Sequence, residues 1–150
     1  MNRKKIIIYT DGGSRGNPGP AGAGVVITDE AGKVLKENYK FLGRLTNNQA
    51  EYQAVILGLE TVKRLVGKTL IAKNQIEIKL DSELVAKQLS GQYQVKEKDL
   101  WPLFMKIWNF QIKDFSNLSF VHIPREENKL ADKLANRAMD ENKINQGSIF

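Results

Sequence analysis

The chain has 150 residues, a formal net charge of +6 and no cysteine. That length fits one domain able to bury a core without covalent staples, and the missing cysteine excludes disulfides, thiolate metal sites and thiol nucleophiles while suiting a reducing compartment. The basic balance suits a polyanionic partner, and no apolar stretch is long enough for a leader or a span, so the chain reads as a soluble cytoplasmic protein without a membrane partner.

Residues 4–11 run apolar with little alternation until Asp11, as a central strand buried on both faces does. "AGVVITDEAGKVLKENYKFLG" reads as two strands joined near "DEAGK", a hairpin. From Asn48 to about Leu65, apolar residues at helical spacing (Ala50, Ala54, Leu57, Leu65) predict a helix, with Gly67 as its stop. "QIEIKLD" is a fourth strand ending at Asp81, and "SELVAKQLSG" is a short helix closed by Gly91. "DLWPLFMKIWNFQIKDF" sets Trp101, Phe104, Met105, Trp108, Ile112 and Phe115 on one stripe with the spacing of a core face. "LSFVHIP" is a fifth strand and "EENKLADKLANRAMDE" a last helix. Hairpin strands followed by alternating helices and strands imply an α/β domain whose later strands lie parallel to the first. One domain spans 1–142, and "KINQGSIF", 143–150, is a loosely held tail.

Two of these strands end in an aspartate, Asp11 and Asp81, and sites in α/β sheets gather at the carboxyl ends of strands. Glu51 falls in the first turn of the helix after the hairpin. Asp132 falls two turns into the last helix, on a face shared with Asn128 and Asn136. Four carboxylates are thus expected to meet at one rim. Hard oxygen ligands without histidine or cysteine suit Mg²⁺ or Mn²⁺, and a cluster of this kind is relieved by two ions about 3.5–4 Å apart, the arrangement that serves phosphodiester hydrolysis. Each acid also has a plain structural reading. Asp11 before "GGSRGNPG" can shape a turn; Glu51, three residues after Asn48, can close a capping box; Asp81 or Ser82 can cap a helix; Asp132 can be a solvated charge. His122, in an alternating strand beside Phe120, reads as a structural histidine. Their joint occurrence, in this order, favours a site.

"YTDGGSRGNPGPAGAG", "TNNQAEYQAVILGLE", "DSELVAKQL" and "HIPREENKLADKLAN" resemble the successive motifs of type 1 ribonuclease H, over roughly residues 4–140. The resemblance implies a five-stranded mixed sheet flanked by helices, the first three strands antiparallel. It implies endonucleolytic hydrolysis of the RNA strand of an RNA/DNA hybrid, giving 3′-hydroxyl and 5′-phosphate ends, with two Mg²⁺ ions or Mn²⁺ in their place. The family's four ligands fall on Asp11, Glu51, Asp81 and Asp132. Asp11 would bridge both ions, Asp132 would help hold the ion carrying the attacking water, and Glu51 with Asp81 would hold the other. Substrate contacts fall on Ser14, Asn17, Asn47, Asn48 and Gln49 along the hybrid's minor groove, with Thr46 at a phosphate of the DNA strand. Amides suit a 2′-hydroxyl, since they both donate and accept. Glycines beside Asp11 would let the nucleic-acid backbone approach.

The chain departs from the family in two places. Its one histidine, His122, ends a strand instead of riding a glycine-rich loop, which shifts an auxiliary role toward Arg125 or Asn128. "GQYQVKEKDLWPLF" is too short for the lysine-rich handle of some relatives, leaving Lys96, Lys98 and net charge to grip the duplex, and the expected form is one without a separate hybrid-binding module. The expected protein is a monomer acting on RNA/DNA hybrid, with double-stranded RNA as a second candidate duplex. Two other classes stand beside this reading. A binding protein of the same fold without cleavage would show no metal-dependent cutting, and a nucleotide phosphotransferase would bind ATP but needs a second such domain.

Overall fold

The structure, a computed structural model, describes residues 4–147. Strands β1 (Lys5–Ser14), β2 (Gly19–Asp29) and β3 (Val34–Leu45) form an antiparallel meander. Helix α1 (Asn47–Lys73) then returns the chain to β4 (Gln75–Leu80), which lies parallel to β1, and helices α2 (Glu83–Leu89) and α3 (Trp101–Lys113) precede β5 (Leu118–His122), parallel to β4. Helix α4 (Lys129–Gly147) completes the domain. The sheet order β3-β2-β1-β4-β5 puts β1 at the centre, where its unbroken apolar run belongs. A five-stranded mixed sheet with flanking helices is the expected architecture.

Strand periodicity divides the core into two layers. Ile6, Ile8, Val25, Ile27, Ile76 and Ile78 face α1, whose Ala54, Val55, Leu59 and Val62 complete the main cluster. On the other face Val26 meets Ala131 and Leu134 of α4, with Tyr9 and Tyr39 beside them. Gly24 lets α4 lie directly on β2, because a Cβ there would stand 2.1 Å from the Ala131 carbonyl oxygen.

Three expectations need correction. Gly67 ends the first helical segment of α1 as expected, with a φ of 82°, but past this kink an unexpected second segment runs on to Lys73, and its Ile71 is buried. Leu65, expected on the packed face, is 40% exposed. The aromatic stripe of α3 is not a core face: Trp101, Met105, Trp108 and Ile112 are 49%, 52%, 49% and 70% exposed, and of the six only Phe115 is fully buried. Ile107, with Leu103 and Phe110, turns inward instead. Both faces of α3 are apolar at helical spacing, so periodicity alone cannot choose between them. Helix α4 runs on to Gly147, through the first part of the segment expected as a loose tail, and 148–150 lie outside the described residues. Between α2 and the 3-10 turn at Lys98–Leu100 no helix occurs among the described residues, in keeping with a missing handle. None of the described helices is long and apolar enough to cross a membrane.

Candidate active site

Asp11, opposite Gly24 of β2, directly follows the last residue of β1 that pairs with β4 (Thr10 opposite Leu80), and Asp81 directly follows β4, so parallel pairing sets the two acids side by side at one sheet end. Glu51 reaches them from the first turns of α1, which starts at a well-made cap. Thr46 accepts a hydrogen bond from the Gln49 amide (3.2 Å), and the Gln49 side chain accepts one from the Thr46 amide (2.9 Å). The capping box is therefore Thr46 with Gln49, and Glu51 is free of that duty.

Oxygens of Asp11, Glu51 and Asp81 all lie within 4.8 Å of one another. Asp11 and Glu51 are buried, 8% and 9% exposed, and Glu51 Oε2 has no hydrogen-bond partner among the described residues. Burial, then repulsion from Asp81 and proximity to Asp132, pushes the Asp11 carboxyl up to about 8 from an ordinary 3.8. Burial, reinforced by Asp11 and Asp81, raises Glu51 well above its ordinary value, opposed by a hydrogen bond from the Gly12 backbone and then by Arg125. Crowded, desolvated carboxylates with an orphaned oxygen are the donor set that a hard divalent cation satisfies. Asp132 joins them across a cavity of 550 Å³ that all four acids line. It sits in the first turn of α4, not two turns in, because a separate 3-10 turn, Arg125–Glu127, takes up the residues before it.

The expected substrate residues divide. Ser14, Asn47 and Asn48 line the same cavity, while Asn17, Thr46 and Gln49 do not. Asn17 holds the wall from behind: its side chain accepts from the Asn47 amide (2.9 Å), and Asn47 Oδ1 accepts from both the amide and the hydroxyl of Ser14 (3.0 Å each). Asn48 donates to Glu97 (3.1 Å). Gly12 and Gly13 play different parts. A Cβ on Gly12 would fall 2.1 Å from the Ala50 carbonyl oxygen, so protein packing demands that glycine, whereas Gly13 faces open space within the cavity.

Of the auxiliary candidates, Arg125 lines the cavity. His122 does not; it is exposed at the end of β5, and its side chain makes no hydrogen bond among the described residues, so the imidazole is not the satisfied structural group that its strand position predicted. Asn128, only 1% exposed, donates from Nδ2 to the Thr10 carbonyl (2.8 Å) and to Asp81 (3.1 Å). It ties the two acid-bearing strand ends together. Sequence reasoning missed Arg15 and Met139 on the cavity wall, while Asn136, placed by its spacing on the Asp132 face, does line it. For Arg15 the signal was available, a cation four residues after Asp11 inside the glycine loop; for Met139, only α4's docking on β2 brings it in.

The chain matches the reverse transcriptase-like family over residues 9–138. A curated bifunctional protein of Mycobacterium tuberculosis is 43% identical over 137 residues, 91% of this chain but 36% of that protein, so the chain spans about a third of the first curated relatives it matches. Ribonuclease HI of Halobacterium salinarum is 39% identical over 91% of this chain and 65% of its own length, and the solved structure of that archaeon's ribonuclease H1 superposes with a TM-score of 0.83, covering 91% of this chain and 98% of that one. A ribonuclease H1 isolated from compost by a metagenomic approach is 50% identical, with a TM-score of 0.87 over 95% of this chain and 99% of its own. The same compost protein has been crystallised in complex with RNA/DNA hybrid. In fold, in motif order and in overall sequence, this chain belongs to the type 1 ribonuclease H family, in its short form.

Proposed function

We propose that this chain is an endonuclease that hydrolyses the RNA strand of RNA/DNA hybrids, leaving 3′-hydroxyl and 5′-phosphate ends. The observation that carries the proposal is the cluster of Asp11, Glu51 and Asp81 within 4.8 Å, in a cavity shared with Asp132. The hybrid complex of a relative 50% identical supports the choice of substrate. Asp11, Glu51, Asp81 and Asp132 would hold two Mg²⁺ ions, or Mn²⁺ in their place. Bound there, such ions supply an activated water and charge stabilisation at the phosphodiester.

The chain's own residues prepare the rest. Ser14 and Asn47, fixed to each other and braced by Asn17, present donors and acceptors to ribose and base edges of the minor groove. Asn48 and Gln49 extend that row, and Thr46 meets a phosphate of the DNA strand. Gly13 leaves the wall open to the nucleic-acid backbone. Arg125 opposes the negative charge of Asp11 and Glu51. Asn128 orients Asp81. His122 lies outside the cavity, so the auxiliary role falls to Arg125, which lines it. The catalytic domain takes in the sheet and helices α1–α4 and acts as a monomer, and the lack of cysteine suits the cytoplasm.

The test is cleavage of one end-labelled RNA presented as hybrid, as double-stranded RNA and single-stranded, with Mg²⁺, with Mn²⁺ and with chelator. Metal-dependent cutting of the hybrid, lost in Asp11→Asn, is the expected result. Folded protein that cuts nothing would return the chain to the class of binding proteins, and cutting of double-stranded RNA alone would change the substrate.

A further inference from the structure

Arg15 leaves the glycine loop and crosses the edge of the acid-lined cavity to α4. Its Nη2 donates to Asn136 Oδ1 at 3.4 Å and stands 2.7 Å from Asp140 Oδ1. Asp132, Asn136 and Asp140 form one row on α4 at spacings of four, and the Asn136 side chain donates back to the Asp132 carbonyl at 3.0 Å. The row thus leads from the acid cluster outward, and Arg15 is laid along its outer half.

Four facts bear on its purpose. The cavity walls carry four carboxylates and two cations, Arg15 and Arg125, so a phosphodiester entering meets net repulsion that a wall cation would offset. Arg125 acts on Asp11 and Glu51, whereas Arg15 is paired with Asp140, which does not line the cavity. Both side chains of that pair stand in water, 42% and 59% exposed, and an exposed pair of this kind contributes little stability. Both contacts use Nη2, and Nε and Nη1 take no partner among the described residues. A guanidinium fork with donors to spare is the group that matches two phosphate oxygens.

We propose that Arg15 binds a backbone phosphate of the duplex beside the acid cluster, and that Asp140 is a competing latch that holds this arginine until phosphate displaces it. The proposal rests on the hybrid-cleavage reading for the identity of the duplex. It makes Arg15 a substrate-binding residue and Asp140 a positioning residue that acts through it. Substrate phosphate and the Asp140 carboxylate compete for the same fork, so removing the latch strengthens binding only while the arginine is present.

The experiment is equilibrium binding of a fluorescein-labelled RNA/DNA hybrid to the full chain in chelator, over a range of KCl concentrations. Wild type is compared with Arg15→Ala, Arg15→Lys, Asp140→Asn and the double variant. Arg15→Ala is expected to weaken binding about tenfold and to lower the slope of log affinity against log salt by about one, the signature of one lost phosphate contact. Arg15→Lys restores the slope but only part of the affinity, since it keeps the charge without the fork. Asp140→Asn tightens binding about threefold in the wild-type background and has no such effect when Arg15→Ala is also present. An unchanged salt slope in Arg15→Ala overturns the phosphate contact. Equal tightening by Asp140→Asn in both backgrounds overturns the latch, since it would reflect net charge alone. If folded wild type binds no hybrid at all, the proposed function itself fails, and the latch with it.

Discussion

Replacing Asp11 by asparagine should stabilise the metal-free protein, by an amount that grows with pH. The folded Asp11 carboxyl is pushed up to about 8 from 3.8 by burial and by its acidic neighbours. Below about pH 4 the group is protonated in both folded and unfolded chains and contributes nothing. Between pH 4 and pH 8 the unfolded chain has lost a proton that the folded chain keeps, so stability falls by up to about 1.4 kcal/mol per pH unit. At pH 6 the accumulated penalty approaches 3 kcal/mol on the order of magnitude that linkage allows, and water in the open cavity reduces it to about 1–3 kcal/mol. Asparagine carries no charge and keeps a donor for Asp81 or Asp132. Urea unfolding followed by circular dichroism in chelator should therefore show the variant's midpoint raised by about 1 M at pH 6 and unchanged near pH 4. Added Mg²⁺ should raise the wild-type midpoint and leave the variant's in place, while cleavage is lost. A variant less stable than wild type, or a gain equal at every pH, would refute the picture of an uncompensated carboxylate at the centre of the cluster.

Asn128→Ala removes both hydrogen bonds across the strand ends, and should cost about 1–3 kcal/mol in urea unfolding and about 10–100-fold in Mg²⁺ affinity measured by calorimetry. Unaltered metal affinity would show that Asp81 needs no support. Gly12→Ala drives a Cβ to 2.1 Å from the Ala50 carbonyl, so it should lower the thermal midpoint steeply, whereas Gly13→Ala, facing open space, should leave folding intact and raise KM. Lys63 holds the Asp114 carboxyl, which is 8% exposed, through a 2.7 Å contact and lowers its pKa. That stability is present above the ordinary carboxylate range and is lost as pH falls through the lowered value. Lys63→Met should thus destabilise near neutral pH and match wild type in strong acid, as chemical denaturation at several pH values would reveal.

Much of this protein was legible in its residues. The apolar run before Asp11 marked the central strand, the hairpin and the alternation after it marked a mixed sheet, and two aspartates at strand ends marked the rim where a site forms, because period and turn chemistry are local properties. The four motifs in order carried the family. The residues could not say which of two apolar faces of α3 turns inward, because both repeat at helical spacing and burial depends on what packs opposite. Nor could they show that Thr46 and Gln49 share a cap, that Asn128 points at Thr10 and Asp81, or that Gly12 is glycine because α1 passes over it. Those depend on contacts between segments far apart in the chain. Parallel pairing of β1 with β4 and the docking of α1 and α4 decide them, and with them the desolvation of Asp11 and Glu51 at the centre of the acid cluster.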